Sequence, residues 1–285
     1  MNVPFADTSC KVIESEKDDP HAWSVVVAHC DLDNPEDGFV EEIVALVRRS
    51  YGENDLVEAA RFTLEAEITA GEFQIEHLIA AIRLGLPNPA AEGEKPVALT
   101  NFRSQSAEMV AKAALAAAYA IEYPAAPQAG APNPNMPILG FDGWGLQKSE
   151  TGEYVFVLIQ VKATDSPDSP PAEAKKLALE CTEAPRSVSA LSRALSLLAS
   201  LLRGHPLQAI VLKMLTQLGR NEPLKMQIAP AIVRGQTVGK LSDLEPIRQK
   251  SQECAPAVLK GAVVSIGVPL DKFGRLVMQN ARSQA

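Results

Sequence analysis

The stretch YVFVLIQVKAT, residues 154–164, constrains this chain more than any other. Successive side chains on a strand point to opposite sides, so Tyr154, Phe156, Leu158, Gln160 and Lys162 share one face while Val155, Val157, Ile159 and Val161 share the other. Both faces are largely apolar, which calls for a buried strand in a sheet flanked by helices. At its end the first face turns polar. Gln160 and Lys162 place an amide and an ammonium two residues apart, roughly 6 to 7 Å along the strand. Upstream, GFDGWGL reads as a partner strand interrupted by Asp142, and KSETGE as the turn. With seventeen residues between Asp142 and Gln160 and the turn midway, a hairpin returns Asp142 to the polar strand end.

The flanking text places this hairpin in a mixed α/β domain. HAWSVVVAHC reads as a strand, and Phe39, Ile43, Leu46 and Val47 recur at helical spacing. The text from Asn54 is helical and stops at Gly85 and the prolines after it. SQSAEMVAKAALAAAYAIEY, capped by Ser104 or Ser106, is the cleanest helix, and it ends before Pro124. PAAPQAGAPNPNMP is an extended connector leading to a strand near Ile138. After the hairpin a helix begins near Ala172. A second carries an apolar stripe of Val188, Leu191, Leu195, Leu198 and Leu202 beside a serine stripe of Ser189, Ser192, Ser196 and Ser200. Those serines either face solvent or let a phosphodiester backbone approach near Arg186 and Arg193. HPLQAIVLKMLTQL fits a helix or a buried strand, while KMQIAPAIVRG and GAVVSIGVPL read as strands. The order suits a mixed central sheet flanked by helices, with residues 1–100 as an α/β N-terminal accessory region and 101–285 as the main domain.

Charge divides the chain. Residues 1–162 carry 11 Lys/Arg against 25 Asp/Glu, and residues 163–285 carry 16 against 10. Nucleic acid is therefore expected along the second half, with the acidic part either a solubilising surface or a face for a protein partner. The four cysteines are widely spaced and form no CxxC or Cys/His cluster, which suits a reducing setting without zinc. No segment approaches the ~20 apolar residues of a membrane span and no leader is evident, so a soluble cytoplasmic protein without membrane contact is expected. His21, His29 and His77 are isolated, and His205 sits in a turn.

A carboxylate, a second side-chain oxygen and a backbone carbonyl can hold Mg²⁺ or Mn²⁺, and a nearby ammonium positions water or stabilises charge on phosphorus. Asp142, Gln160 and the carbonyl of Val161 supply the oxygens, and Lys162 the ammonium. Asp165 and Asp168 follow closely, in a Ser/Pro-rich stretch that reads as a solvated loop. Purely structural roles would be a strand-ending Asp142, an edge-protecting Lys162 and a Glu108 favoured by the first turn of its helix with Lys112 at i+4.

Asp142, followed by Gln160-Val161-Lys162 at the end of a buried strand, resembles the PD-(D/E)XK, or restriction-endonuclease-like, nuclease superfamily in its QxK form. That resemblance implies a core of α-β-β-β-α-β type over roughly residues 104 to 270, with Glu108 on the preceding helix as a further acidic residue. It implies a Mg²⁺-dependent nuclease, with DNA ranked ahead of RNA as the substrate and the choice between them left open, and with metal held by Asp142, Gln160, Val161 and Glu108. The departure is Gln160, a neutral and weaker ligand than Glu. The helix with Glu108, GFDGWGL and the Lys-terminated strand is also similar to the nuclease subunit of Hachiman-type anti-phage defence, which implies a helicase or other ATPase partner. The rival readings are a non-catalytic adaptor that keeps the nuclease fold, and an unrelated α/β protein that matches by chance.

Overall fold

The computed structural model describes residues 9–34, 36–67, 74–90, 96–124, 141–149 and 151–283. The expected connector after Pro124 and the strand start near Ile138 lie outside the described residues. The chain forms strands β1 (Lys11–Asp18) and β2 (His21–Val27), then helices α1 (Gly38–Ser50), α2 (Glu53–Glu67), α3 (Ile75–Leu84) and α4 (Pro96–Tyr119). The hairpin follows as β3 (Gly143–Lys148) and β4 (Tyr154–Thr164). Helices α5 (Ala172–Glu183), α6 (Val188–Leu201) and α7 (Gln208–Gly219) lead to β5 (Met226–Arg234); then come the short α8 (Glu245–Arg248), β6 (Val258–Ser265) and α9 (Leu270–Arg282).

All six strands join one sheet in the order β1-β2-β6-β5-β4-β3. The four central strands run parallel, and the edge strands β1 and β3 pair antiparallel with β2 and β4. The strands on either side of the division expected near residue 100 thus belong to the same sheet. β4 is interior, as its two apolar faces require. Val157, Ile159 and Val161 belong to one core with Ala107, Ala111 and Ala114 of α4 and apolar residues of α1 and α9, whereas Phe156 and Leu158 belong to a second core with Leu177 of α5 and apolar residues of α6 and α7.

Two helices differ from expectation. α4 starts at Pro96, so Ser104 and Ser106 lie inside it; Ser106 Oγ donates to the Arg103 carbonyl at 3.0 Å instead of capping. No breaker interrupts the run from Pro96, and proline at a first helical position gives up no needed N–H. On α6 the leucines of the expected stripe are buried, but Val188 at the helix start is 56 % exposed, because it precedes the turn that meets the core. Ser189, Ser196 and Ser200 face solvent. The ambiguous HPLQAIVLKMLTQL contains α7, which buries Val211 and Met214.

α4 is rich in alanine where it meets its neighbours, and this permits close packing. It crosses α9 at Gly274, where a Cβ would stand 2.9 Å from Ser106 Oγ and 3.0 Å from Arg103 Cα. The cysteines are all free. No helix among the described residues is long and apolar enough to cross a membrane.

Candidate functional site

β3 is shorter than β4, and the difference makes a notch at the sheet edge. The last backbone rung of the pair is the Asp142 N–H donating to the Ile159 carbonyl at 3.2 Å. Beyond it, Asp142 extends the ladder with its side chain: Oδ2 accepts from the Val161 N–H at 2.6 Å. Asp142 therefore precedes the strand rather than interrupting it, and its carboxylate stands where a partner carbonyl would otherwise be. The N–H and C=O of one strand residue point to the same edge, so the Val161 carbonyl also faces the notch.

Charged side chains on both faces of the sheet act electrostatically on this carboxylate. On the α5 face, Lys162 Nζ lies 2.7 Å from Glu180 Oε1, and both groups act electrostatically on Asp142. Gln160 shares that face by strand alternation and is only 4 % exposed. On the α4 face, Glu108 and Lys112 stand one helical turn apart and both sense Asp142. Glu108 lies well inside α4, so the helix-dipole account of its position does not hold.

Burial sets the protonation pattern. It pushes the Asp142 carboxyl upward, while the Val161 N–H and then the Lys162 ammonium pull it back. It pushes Glu108 to about 8, against the opposing pull of Lys112, with the Asp142 charge adding to the rise. For Lys112, 4 % exposed, burial lowers the ammonium's pKa and the charges of Glu108 and Asp142 oppose that shift. Glu108 Oε2 and Glu180 Oε2 are both buried without a hydrogen-bond partner. Such oxygens are costly to bury unless a proton or cation compensates them.

The fold thus gathers Asp142, Val161 and Lys162, with Gln160 on the Lys162 face and Glu108 opposite. Three neighbours escape the strand pattern. Glu180 comes from α5, where it lies one helical turn after Leu177 and Glu173 is a full two turns before it; only the position of α5 over β4 reveals it. Lys112 reads in the sequence as a mere i+4 partner of Glu108. Tyr51, just after α1, donates to Gln105 Oε1 on α4 and lies close enough to Glu108 for that carboxylate to raise its phenol further above the range set by burial. The acidic N-terminal part therefore helps enclose the site.

Other singled-out residues are structural. Asp165 accepts from the Leu270 N–H at the start of α9 and pairs with Arg103 at 3.5 Å, and Asp168 accepts from Ser166. Trp144 is buried, His21 Nδ1 accepts from the Leu259 N–H, and His205 accepts from Leu207 within a turn. A surface cleft of about 330 Å³ lies at the turn end of the hairpin beside Tyr154, Lys213 and Lys225. It is far along β4 from Asp142 and carries none of the gathered groups.

The donor set is one of hard oxygens, suited to Mg²⁺ or Mn²⁺ in type. Among the described residues, no three His, Cys, Asp or Glu side chains assemble as a metal group. A cation here would need the Gln160 amide or the Val161 carbonyl beside the carboxylates. No protein-family model matches the chain, and comparison with curated proteins finds no significant relative.

Proposed function

We propose that this chain is a metal-dependent nuclease that hydrolyses phosphodiester bonds in DNA, on a restriction-endonuclease-like core. The observation that carries the reading is the notch: the hairpin brings the Asp142 carboxylate onto the Val161 N–H, beside Lys162. The element order supports it. An α-helix, α4, is followed by an isolated antiparallel bridge between Glu122 and Leu146, the β3–β4 hairpin, helices and the parallel strand β5.

Asp142, the Val161 carbonyl, Gln160 and Glu108 would hold Mg²⁺ or Mn²⁺. A cation held there would supply Lewis acidity toward water and positive charge to offset that building on phosphorus. Lys162 supplies an ammonium for the developing phosphate charge, and Glu180 holds it in place. The orphaned oxygen of Glu108 supports a cation-binding role. A cytoplasmic role in anti-phage defence, with a helicase or other ATPase partner met by the acidic N-terminal part, is the finer form of this proposal.

Cleavage of duplex and single-stranded DNA in Mg²⁺, with and without excess EDTA, tests it. Activity should vanish in EDTA and fall at least ~100-fold in Lys162→Ala, in line with the loss of one charge-stabilising group. Undiminished cutting in either case would overturn the reading. Gln160 favours a second reading, a non-catalytic adaptor of the same fold, because a neutral amide replaces a charged ligand. That reading expects no Mn²⁺ binding.

A further inference from the structure

We propose that Lys112 is a tethered cation, occupying the α4 side of the Asp142 notch and opposing entry of a divalent ion there. The inference rests on the metal-binding reading of Asp142 and Glu108.

The placement of Lys112 is built rather than incidental. An ammonium that is taken out of water is costly unless opposite charges compensate it. Lys112 is 4 % exposed; burial lowers its pKa, and the Asp142 charge, with that of Glu108 when it is ionised, opposes the shift. Among the described residues no carboxylate oxygen makes a direct ion pair with it, although Glu108 stands one helical turn before it on α4. Room for its stem comes from Gly143, the residue after Asp142. A Cβ there would stand 2.9 Å from Lys112 Cε and 3.2 Å from Nζ.

The two lysines of the site thus differ in kind. Lys162 is held at 2.7 Å by Glu180, partly in solvent. Lys112 has no such clasp and lies against Gly143 on the α4 side of the notch, where Glu108 Oε2 is buried without a hydrogen-bond partner. A positive charge beside a cation site repels the cation, the more so where the surroundings are poorly solvated. Gln160, a neutral amide, supplies no negative charge to offset this repulsion.

The test is Mn²⁺ binding to the full chain, followed by calorimetry and by the paramagnetic resonance of free Mn²⁺. Four variants accompany the wild type: Lys112→Met, Lys112→Gln, Gly143→Ala and Asp142→Ala. Both Lys112 variants should bind Mn²⁺ about tenfold tighter or more. Gly143→Ala keeps every charge but crowds the lysine stem, and should tighten binding in the same direction. Equal or weaker binding in folded Lys112→Met and Lys112→Gln, while Asp142→Ala abolishes binding, would overturn the tethered-cation proposal and leave the metal reading intact. Absence of Mn²⁺ binding in the wild type and in every folded variant would overturn both. Circular dichroism identifies any variant that fails to fold, and Gly143→Ala then decides.

Discussion

Glu108 concentrates the electrostatic tension of the site. Its carboxyl rises from 4.5 to about 8, chiefly through burial, and Lys112 only partly offsets the rise. Between these values the folded chain keeps a proton that the unfolded chain has released. Each pH unit through that window therefore removes up to ~1.4 kcal/mol of stability on account of this group. The sign is that of a raised acid, with stability highest below the window and lost as pH rises through it. Glu108→Gln should flatten the decline, so that the variant gains on the wild type between pH 5 and pH 8 in urea denaturation. Parallel curves would show that Glu108 titrates normally. At this scale the strand alternation identifies Gln160 and Lys162, and the hairpin spacing identifies Asp142, because both follow from local periodicity. Glu180, Lys112 and Tyr51 stay hidden, since what brings them in is the packing of three separate helices. The Asp142–Val161 bond is likewise not legible: a side chain standing in for a strand carbonyl leaves no periodic trace.

Helix α4 shows how an element positions chemistry. Its alanines let it lie close to the sheet, and its crossing with α9 at Gly274 fixes its height above β4. Gly274→Val would press a branched side chain against Ser106 and the Arg103 backbone. It should cost about 1–3 kcal/mol in chemical denaturation, the usual penalty for overpacking, and unchanged stability would show that the crossing is loose. The ends of elements proved harder to read than their middles. The alanine run announces a helix over 104–123, yet α4 begins at Pro96, because proline starts a helix as readily as it ends one. The text containing α7 was ambiguous for a different reason: a short, nearly continuous apolar run fits a helix or a buried strand equally well.

Across the whole molecule, the N-terminal strands complete the sheet. β2 pairs in parallel with β6, and Trp23 is fully buried. Helices of the N-terminal part also grip the end of α9: Arg48 donates to the Asn280 and Ala281 carbonyls, and Arg83, paired with Glu53 at 2.9 Å, donates to the Ser283 carbonyl. Cations at a helix C-terminus meet its unpaired carbonyls and the negative end of its dipole. Sequence pattern conveys a mixed sheet flanked by helices, but not the order of its strands, which long-range pairing decides. The notch lies at the edge of this shared sheet, so a change confined to the Asp142 charge should be read at the level of function, not of fold. Asp142→Asn keeps an oxygen to accept from the Val161 N–H and removes only the negative charge. Measured on DNA in Mg²⁺ beside the wild type, with thermal unfolding as the control, this variant should melt within a few degrees of the wild type and cut at least ~100-fold more slowly. Wild-type cutting by Asp142→Asn would contradict the assignment of the notch as the catalytic centre.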